Sequence, residues 1–179
     1  MFNLFKKKDT NLPKRHYDPT NMKVTDLRIG FVFDYDLKTW EVIDEFEYDW
    51  GDNFFTYEYK ITSGEETLYL RIEEDDQVYC IFTKKLPFGR LGEAAQYFKT
   101  HQQAPSSIYF DGVEFFLERE NPGFFRSTQD EDSVEVIQWD YLDDSGKRML
   151  VIHQWDEQDF ELSVGIVEPS SVITNILPR

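Results

Sequence analysis

Short segments rich in aromatic and β-branched residues follow one another along most of this sequence, and turn residues separate them. Val, Ile, Phe, Tyr and Trp are favoured on a half-buried pleated sheet, whereas Gly, Asp and Ser are favoured in tight turns. In one segment Leu68, Leu70 and Ile72 alternate with more polar residues, so these three side chains share one face of a strand. The pattern predicts an all-β, mainly antiparallel fold built from consecutive hairpins.

The sequence predicts ten strands and two short helices. One helix covers residues 91–99. The other begins at Pro169, since proline is tolerated at the first helical position, and carries Val172, Ile173 and Ile176. The predicted strands cover residues 31–34, 39–48, 54–62, 67–73, 78–84, 107–110, 113–120, 134–142, 149–155 and 160–167.

Two parts of the chain, residues 59–82 and residues 141–164, resemble each other without a gap. Both begin with Tyr, both carry Ser-Gly in the first turn, and Leu70 of the first part aligns with Ile152 of the second. Unrelated hairpins also resemble each other where turn chemistry restricts the residues, and that alternative stays open. The shared phase of the apolar residues favours an internal repeat.

The repeat predicts how the chain is organised. Residues 1–24 form a leader, and residues 25–179 form one domain of two β-meanders, at 27–86 and 106–167, joined by a helix-bearing linker at 87–105. A meander of about 60 residues is only marginally stable alone. We therefore expect the two meanders to bury one face against each other, as a sandwich or a partly open barrel with one short linking helix and a short C-terminal helix.

The charge of the chain is unevenly distributed. The total is −16, but residues 1–16 carry +4, which leaves −20 on the remaining chain. Nucleic-acid binding requires a basic surface that meets the phosphates, so this body argues against DNA or RNA as a partner. A cationic partner remains open, as does the simpler interpretation that the charge only maintains solubility.

The leader combines apolar and basic residues at its tip. We predict weak peripheral contact with a membrane, although a leader without function is an equally open alternative. The chain carries no apolar run of membrane-spanning length and no signal peptide, and its single cysteine, Cys80, excludes an internal disulfide framework. These features predict a cytoplasmic protein, with membrane contact at the inner face. The predicted contact residues are Phe2, Leu4, Phe5, Lys6, Lys7 and Lys8.

The sequence contains no spacing typical of a catalytic or metal centre. His16, His101 and His153 are far apart and have no nearby cysteine, and His153 is predicted as a partly exposed histidine on a strand. The acidic runs lack the spacing of a calcium loop and fit solvated hairpin turns better, with weak binding of a divalent ion or a polyamine as the open alternative. We therefore predict a non-enzymatic protein without metal or cofactor. The acidic runs cover residues 73–76, 130–132, 143–144 and 156–159.

Aromatic and acidic residues alternate in residues 46–59, around a Gly51 turn. Such a sheet face can hold a cation through ring faces and carboxylates, or a partner's basic strand. Ordinary cross-strand packing of aromatic residues is the open alternative. The predicted binding face consists of Trp50, Asp52, Tyr57 and Tyr59.

Several short patterns together resemble the bacterial family named domain of unknown function 4178. The resemblance covers residues 25–177 and implies neither an activity nor catalytic residues. It also implies that related genes lie near polyamine-synthesis genes and genes for membrane-stress or small membrane proteins. The patterns are Gly30 before the first strand, the aromatic and acidic strand that ends in Tyr59, the "LYL" strand, "DGVEFFLE" at 111–118, and the segment from Trp155 to Gly165.

Two binding functions follow from these observations as hypotheses, and a third hypothesis, an uncharacterised hydrolase, would require a pocket in which carboxylates with perturbed pKa values converge. The first is a non-enzymatic binding or adaptor protein that acts with a protein partner, membrane-associated or involved in a stress response. The alternative is a sensor or binder of a cationic small ligand, such as a polyamine, through an acidic aromatic face.

Overall fold

The computed structural model describes residues 16–179, which form an antiparallel fold of eleven strands with one α-helix. Short 3-10 turns cover Val24–Asp26, Phe88–Leu91 and Ser170–Val172. Within these residues no helix has the length and apolar composition needed to cross a membrane. The elements are β1 (Val32–Tyr35), β2 (Lys38–Asp49), β3 (Phe55–Ser63), β4 (Glu66–Glu74), β5 (Val78–Leu86), α1 (Glu93–His101), β6 (Ser107–Phe110), β7 (Val113–Ser127), β8 (Val134–Asp143), β9 (Arg148–Asp156), β10 (Asp159–Pro169) and β11 (Thr174–Leu177).

Eight of these strands close a barrel. The ring runs in the order β2, β3, β4, β5, β10, β9, β8 and β7, with every neighbouring pair antiparallel. A short ladder between β2 and β7 completes the ring, in which Phe46 lies opposite Ser127 and Asp49 lies opposite Phe124. Strands β1 and β11 extend the sheet beyond the first half of β2, and β6 extends it beyond the first half of β7.

The interior of the barrel contains a buried ion pair. Arg71 on β4 contacts Asp140 on β8, and these two strands lie on opposite sides of the ring. Successive side chains of a strand point to opposite faces, so the neighbours of Arg71 and Asp140 along each strand point outward. An apolar group of Ile81, Met149 and Val151 lies at the same inner face.

Two apolar clusters therefore pack outside the ring. The flanking strands and α1 cover them, which explains why these segments fold onto the barrel. The first outer cluster consists of Val24, Leu27, Phe31, Phe33, Trp40, Val42, Tyr59, Ile61, Leu70, Cys80, Phe82 and Ile173. The second outer cluster consists of Leu91, Ala95, Phe98, Ile108, Phe110, Phe115, Trp139, Tyr141, Leu150, Ile152, Phe160 and Leu162.

The all-β antiparallel prediction is confirmed, and each of the ten predicted strands is present. Neither a sandwich nor a partly open barrel describes the arrangement, because β7 continues past residue 120 to Ser127 and closes the ring. The predicted C-terminal helix is wrong. After the short turn at Ser170–Val172, residues Thr174–Leu177 pair with β1 instead. The predicted helix at 91–99 is displaced by two residues, since a 3-10 turn precedes α1.

Two five-stranded meanders follow each other in the chain, β1 to β5 and β6 to β10. Each gives four strands to the ring, so the two share one barrel. The residue-by-residue repeat and the division into a leader and one domain stay predictions of the sequence.

Candidate functional site

A groove of about 690 Å3 opens at one end of the barrel, where β2, β7, β8 and β9 meet. Four of its lining residues carry carboxylates, three are aromatic, and none of the described residues that line it is basic. We call it the acidic groove. Its lining consists of Asp49, Trp50, Gly51, Pro122, Gly123, Phe124, Glu135, Val136, Ile137, Gln154, Trp155, Asp156 and Glu157.

Two strand ends place most of the polar lining. Residues 49–51 end β2 and residues 155–157 end β9, and a tight turn follows each. The Gly51 N–H donates to Asp49 Oδ1 at 3.0 Å, and the Glu157 N–H donates to Asp156 Oδ1 at 2.7 Å. Aspartate commonly forms such bonds at turns. The turn chemistry therefore fixes a carboxylate beside each tryptophan.

The carboxylates of the acidic groove carry uncompensated charge. In residues 16–179, none of the four lies within 4.0 Å of a basic group, whereas the buried carboxylate of Asp140 contacts both Arg71 and Arg119. Unpaired like charges in a concave surface attract cations. The groove is thus an acidic site, whereas the interior carboxylate of Asp140 is paired with two guanidinium groups.

Both tryptophans of the acidic groove are held in place. Trp50 donates its indole N–H to Thr56 Oγ1 at 2.9 Å and stacks on Tyr48 at a ring separation of 5.2 Å. Trp155 stacks on His153 at 5.2 Å and meets Phe125 edge-on at 4.9 Å. Fixed aromatic side chains bind a cation without the entropy cost of ordering them.

His153 lies beneath the groove and is 3% exposed, so the prediction of a partly exposed histidine is wrong. Its Nε2 lies 3.0 Å from Gln138 Oε1 and its Nδ1 lies 3.8 Å from Glu161 Oε1. Its ring stacks on Tyr48 at 5.7 Å. His153 therefore links the aromatic rings below the groove to the polar interior.

Two interior carboxyls have pKa values displaced in opposite directions. Glu58 accepts a hydrogen bond from the Tyr48 hydroxyl at 3.4 Å, and burial is the main cause that raises the pKa of its carboxyl, although part of the residue is accessible. Burial also acts to raise the pKa of Glu161, but the nearby His153 imidazole and the Lys85 ammonium, which donates to Glu161 Oε2 at 2.8 Å, lower that pKa overall. The interior thus holds one carboxyl whose pKa is raised and one whose pKa is lowered from the ordinary value.

A partly buried ion-pair network connects opposite walls of the barrel: Arg71 and Asp140 are buried, whereas Glu73 and Arg119 are partly exposed. Asp140 contacts Arg71 at 3.2 Å, Arg119 at 3.0 Å and the Gln138 amide at 2.9 Å. Glu73 contacts both guanidinium groups, at 3.1 and 2.8 Å. Each charged group of this network therefore contacts at least one group of opposite charge.

The four residues of the predicted binding face do not form one surface. Trp50 lines the acidic groove, and Asp52 lies exposed in the turn after it with a φ of 49°. Tyr57 donates its hydroxyl to Glu47 at 3.2 Å on the outer side of β3, and Tyr59 is 2% exposed within the first outer cluster. The predicted membrane-contact tip, residues 2–8, lies outside the described residues.

Sequence reasoning missed Glu135, Trp155, Asp156 and Glu157. One signal was available: Asp-Trp-Gly at 49–51 and Trp-Asp-Glu at 155–157 both place tryptophan beside acidic residues where a strand ends. Nothing in the sequence indicated that these two ends meet, because strand order decides it.

The site lacks the geometry of a metal centre. Within residues 16–179, no three His, Cys, Asp or Glu side chains lie close enough together to hold an ion. The lone thiol, Cys80, is fully buried in the first outer cluster, and burial raises its pKa to about 12.

Comparison with known proteins gives a family whose function is unknown. One curated relative is an uncharacterized protein of Aquifex aeolicus (strain VF5), which is 26% identical over 153 residues, covering 86% of this chain and 84% of the relative. No solved structure matches the chain. The family model described as Domain of unknown function (DUF4178) matches residues 28–169, so the chain belongs to that family.

Proposed function

We propose that this protein is a non-catalytic binding protein whose acidic groove takes an extended organic cation, such as a polyamine. One observation carries the proposal: the same groove contains four carboxylates, none of which has a basic partner, and two indole rings that are held in place. Carboxylates neutralise ammonium groups, and aromatic faces attract them through the ring quadrupole.

The lining favours an organic cation over a metal ion. A divalent metal needs several oxygen ligands at one point, and the described carboxylates do not converge in that way. Val136 and Ile137 add apolar surface between the charged residues. Methylene segments pack on such surface while their charged ends reach carboxylates, as lysine stems do on proteins.

Isothermal titration of the full chain with spermidine at low and high salt tests this proposal. The double variant Glu135→Gln/Asp156→Asn removes two groove charges, and we expect spermidine to bind at least about fivefold more weakly to it. Asp75→Asn/Asp76→Asn removes two exposed charges in the β4–β5 turn and serves as the matched control. Equal affinity of the two double variants, or magnesium binding as tightly as spermidine, would refute the proposal.

A second proposed role, as an adaptor for a protein partner, has its own support at the rim. Phe54 and Val134 are 60% and 52% exposed. The backbone of Phe54 is hydrogen-bonded to Trp50 and Gly51 across the turn after β2, and Val134 precedes Glu135 on β8. Exposed apolar side chains at the edge of a charged groove suit a partner protein. The proposed place of action is the cytoplasm, with peripheral contact at the membrane.

A pull-down from native cells, repeated with Phe54→Ser/Val134→Ser, tests the adaptor role, and retention of the same partners by the variant contradicts it.

Co-sedimentation with anionic liposomes compares the full chain with one lacking residues 1–8. Equal pelleting contradicts the predicted membrane contact.

A further inference from the structure

The longest strand of the barrel carries Pro122 and Gly123 in its interior. Both residue types are disfavoured in the interior of a strand, because proline lacks an N–H and glycine lacks a side chain to pack. Gly123 does not have a left-handed backbone conformation, so conformational freedom does not explain it. Another feature of the structure must therefore explain why β7 has glycine at position 123.

The reason is the close approach of Trp50. A Cβ atom at position 123 would lie 2.7 Å from Trp50 Cε3 and 2.6 Å from the Asp49 carbonyl oxygen. Real Cβ atoms do not approach other heavy atoms this closely. Only glycine leaves room for the indole and the end of β2 against β7.

Three contacts thus restrain one indole at the edge of the groove. Gly123 leaves space for its six-membered ring, the hydroxyl of Thr56 accepts its N–H, and Tyr48 stacks on it with an interplanar angle of 8°. Side chains held by surrounding contacts recognise ligands more precisely than free ones.

We propose that Gly123 and Thr56 are positioning residues that hold Trp50 as a fixed wall of the acidic groove, and that this wall contributes to affinity for the cation. The proposal rests on the proposed function, since it assigns how the same groove binds. A ligand that meets an already ordered indole does not lose affinity to ordering it.

Thr56→Val tests the hydroxyl, because valine keeps the shape of threonine and removes only the acceptor. Spermidine should bind about fivefold more weakly to it, and Thr56→Ser should restore the affinity. In the free protein, the Trp50 indole N–H should lose its protection from solvent exchange in Thr56→Val and keep it in Thr56→Ser. The indole resonance is assigned by its absence in Trp50→Phe.

Gly123→Ala has a matched control in Gly165→Ala. A Cβ at position 165 would lie 2.3 Å from the Phe82 carbonyl oxygen and 2.7 Å from Thr83 Cγ2, in the β5–β10 ladder away from the groove residues. Both variants should lower the melting temperature, but only Gly123→Ala should weaken spermidine binding. If Gly123→Ala does not fold, the Thr56 variants decide.

The outcomes separate the two proposals. If the wild-type chain does not bind spermidine, the proposed function fails. If it binds, and Thr56→Val loses indole protection but binds spermidine within twofold of wild type, the positioning role is overturned. Unchanged indole protection in Thr56→Val also overturns it.

Discussion

Replacement of Asp140 by asparagine should strongly destabilise the barrel. Asp140 is 1% exposed and Arg71 is 4% exposed, and their carboxylate and guanidinium lie 3.2 Å apart between opposite walls. Asparagine keeps the shape of the side chain but removes its charge. Arg71 then retains only Glu73 as an anionic contact, at 3.1 Å.

The magnitude follows from the cost of leaving a buried charge without its partner. Removal of one member of a buried ion pair costs about 3–5 kcal/mol. Because Glu73 remains, we expect about 3 kcal/mol for Asp140→Asn. In a chain of this size each kcal/mol lowers the melting temperature by about 2–4 °C, so the expected decrease is about 6–12 °C.

Urea unfolding followed by tryptophan fluorescence measures the loss, with the slope checked for a two-state transition. The matched control is Asp111→Asn, which breaks an exposed pair with Arg90 at 3.1 Å and should cost less than about 0.5 kcal/mol. The double variant Arg71→Met/Asp140→Leu should lose less than Asp140→Asn, because no lone charge remains buried. A loss below about 1 kcal/mol for Asp140→Asn would refute this account of the interior.

Three further predictions follow from burial. Because the pKa of Glu58 is raised above its unfolded value of 4.5, the contribution of Glu58 to stability is present at low pH and is lost as the pH rises through the folded-state pKa. The urea midpoint of Glu58→Gln relative to wild type should therefore be higher at pH 8 than at pH 4, and a constant difference contradicts this. Cys80, fully buried with its pKa raised to about 12, should react with iodoacetamide at pH 8 only under unfolding conditions, as mass spectrometry would show; rapid labelling of the native protein contradicts it. Phe98→Ala removes a fully buried ring of α1 that contacts Phe88, Trp139 and Phe160, and should cost about 3–5 kcal/mol in urea unfolding; a loss under 1 kcal/mol contradicts the packing.

The strands were predictable because local alternation and turn residues define them. The shared face of Leu68, Leu70 and Ile72 is visible in the sequence and is present in the structure, where these side chains belong to or pack on the first outer cluster. Their burial outside the ring was not predictable. Alternation shows that two faces differ, but only strand order shows which face becomes the interior.

The closure of the barrel by β7 was not predicted from the sequence, and the reason is local. Pro122 and Gly123 interrupt the apolar pattern and predict the end of a strand, yet tertiary contacts carry β7 through them to Ser127. The C-terminal error has a similar cause, since the pairing of Thr174–Leu177 with β1 overrides the local helical pattern after Pro169. The acidic groove combines residues from four strands, so no single segment carried its full signal.

The β2–β7 ladder also bears on how the chain folds. Its four residue pairs join Phe46–Asp49 to Phe124–Ser127, whereas the hairpins of each meander join strands that are adjacent in sequence. Contacts between segments that are distant in sequence form late in folding. The chain must lose the entropy of closing a long loop before such a contact contributes any favourable free energy. Substitutions in this ladder should therefore accelerate unfolding while leaving the folding rate nearly unchanged. The four residue pairs would then control how fast the closed barrel opens.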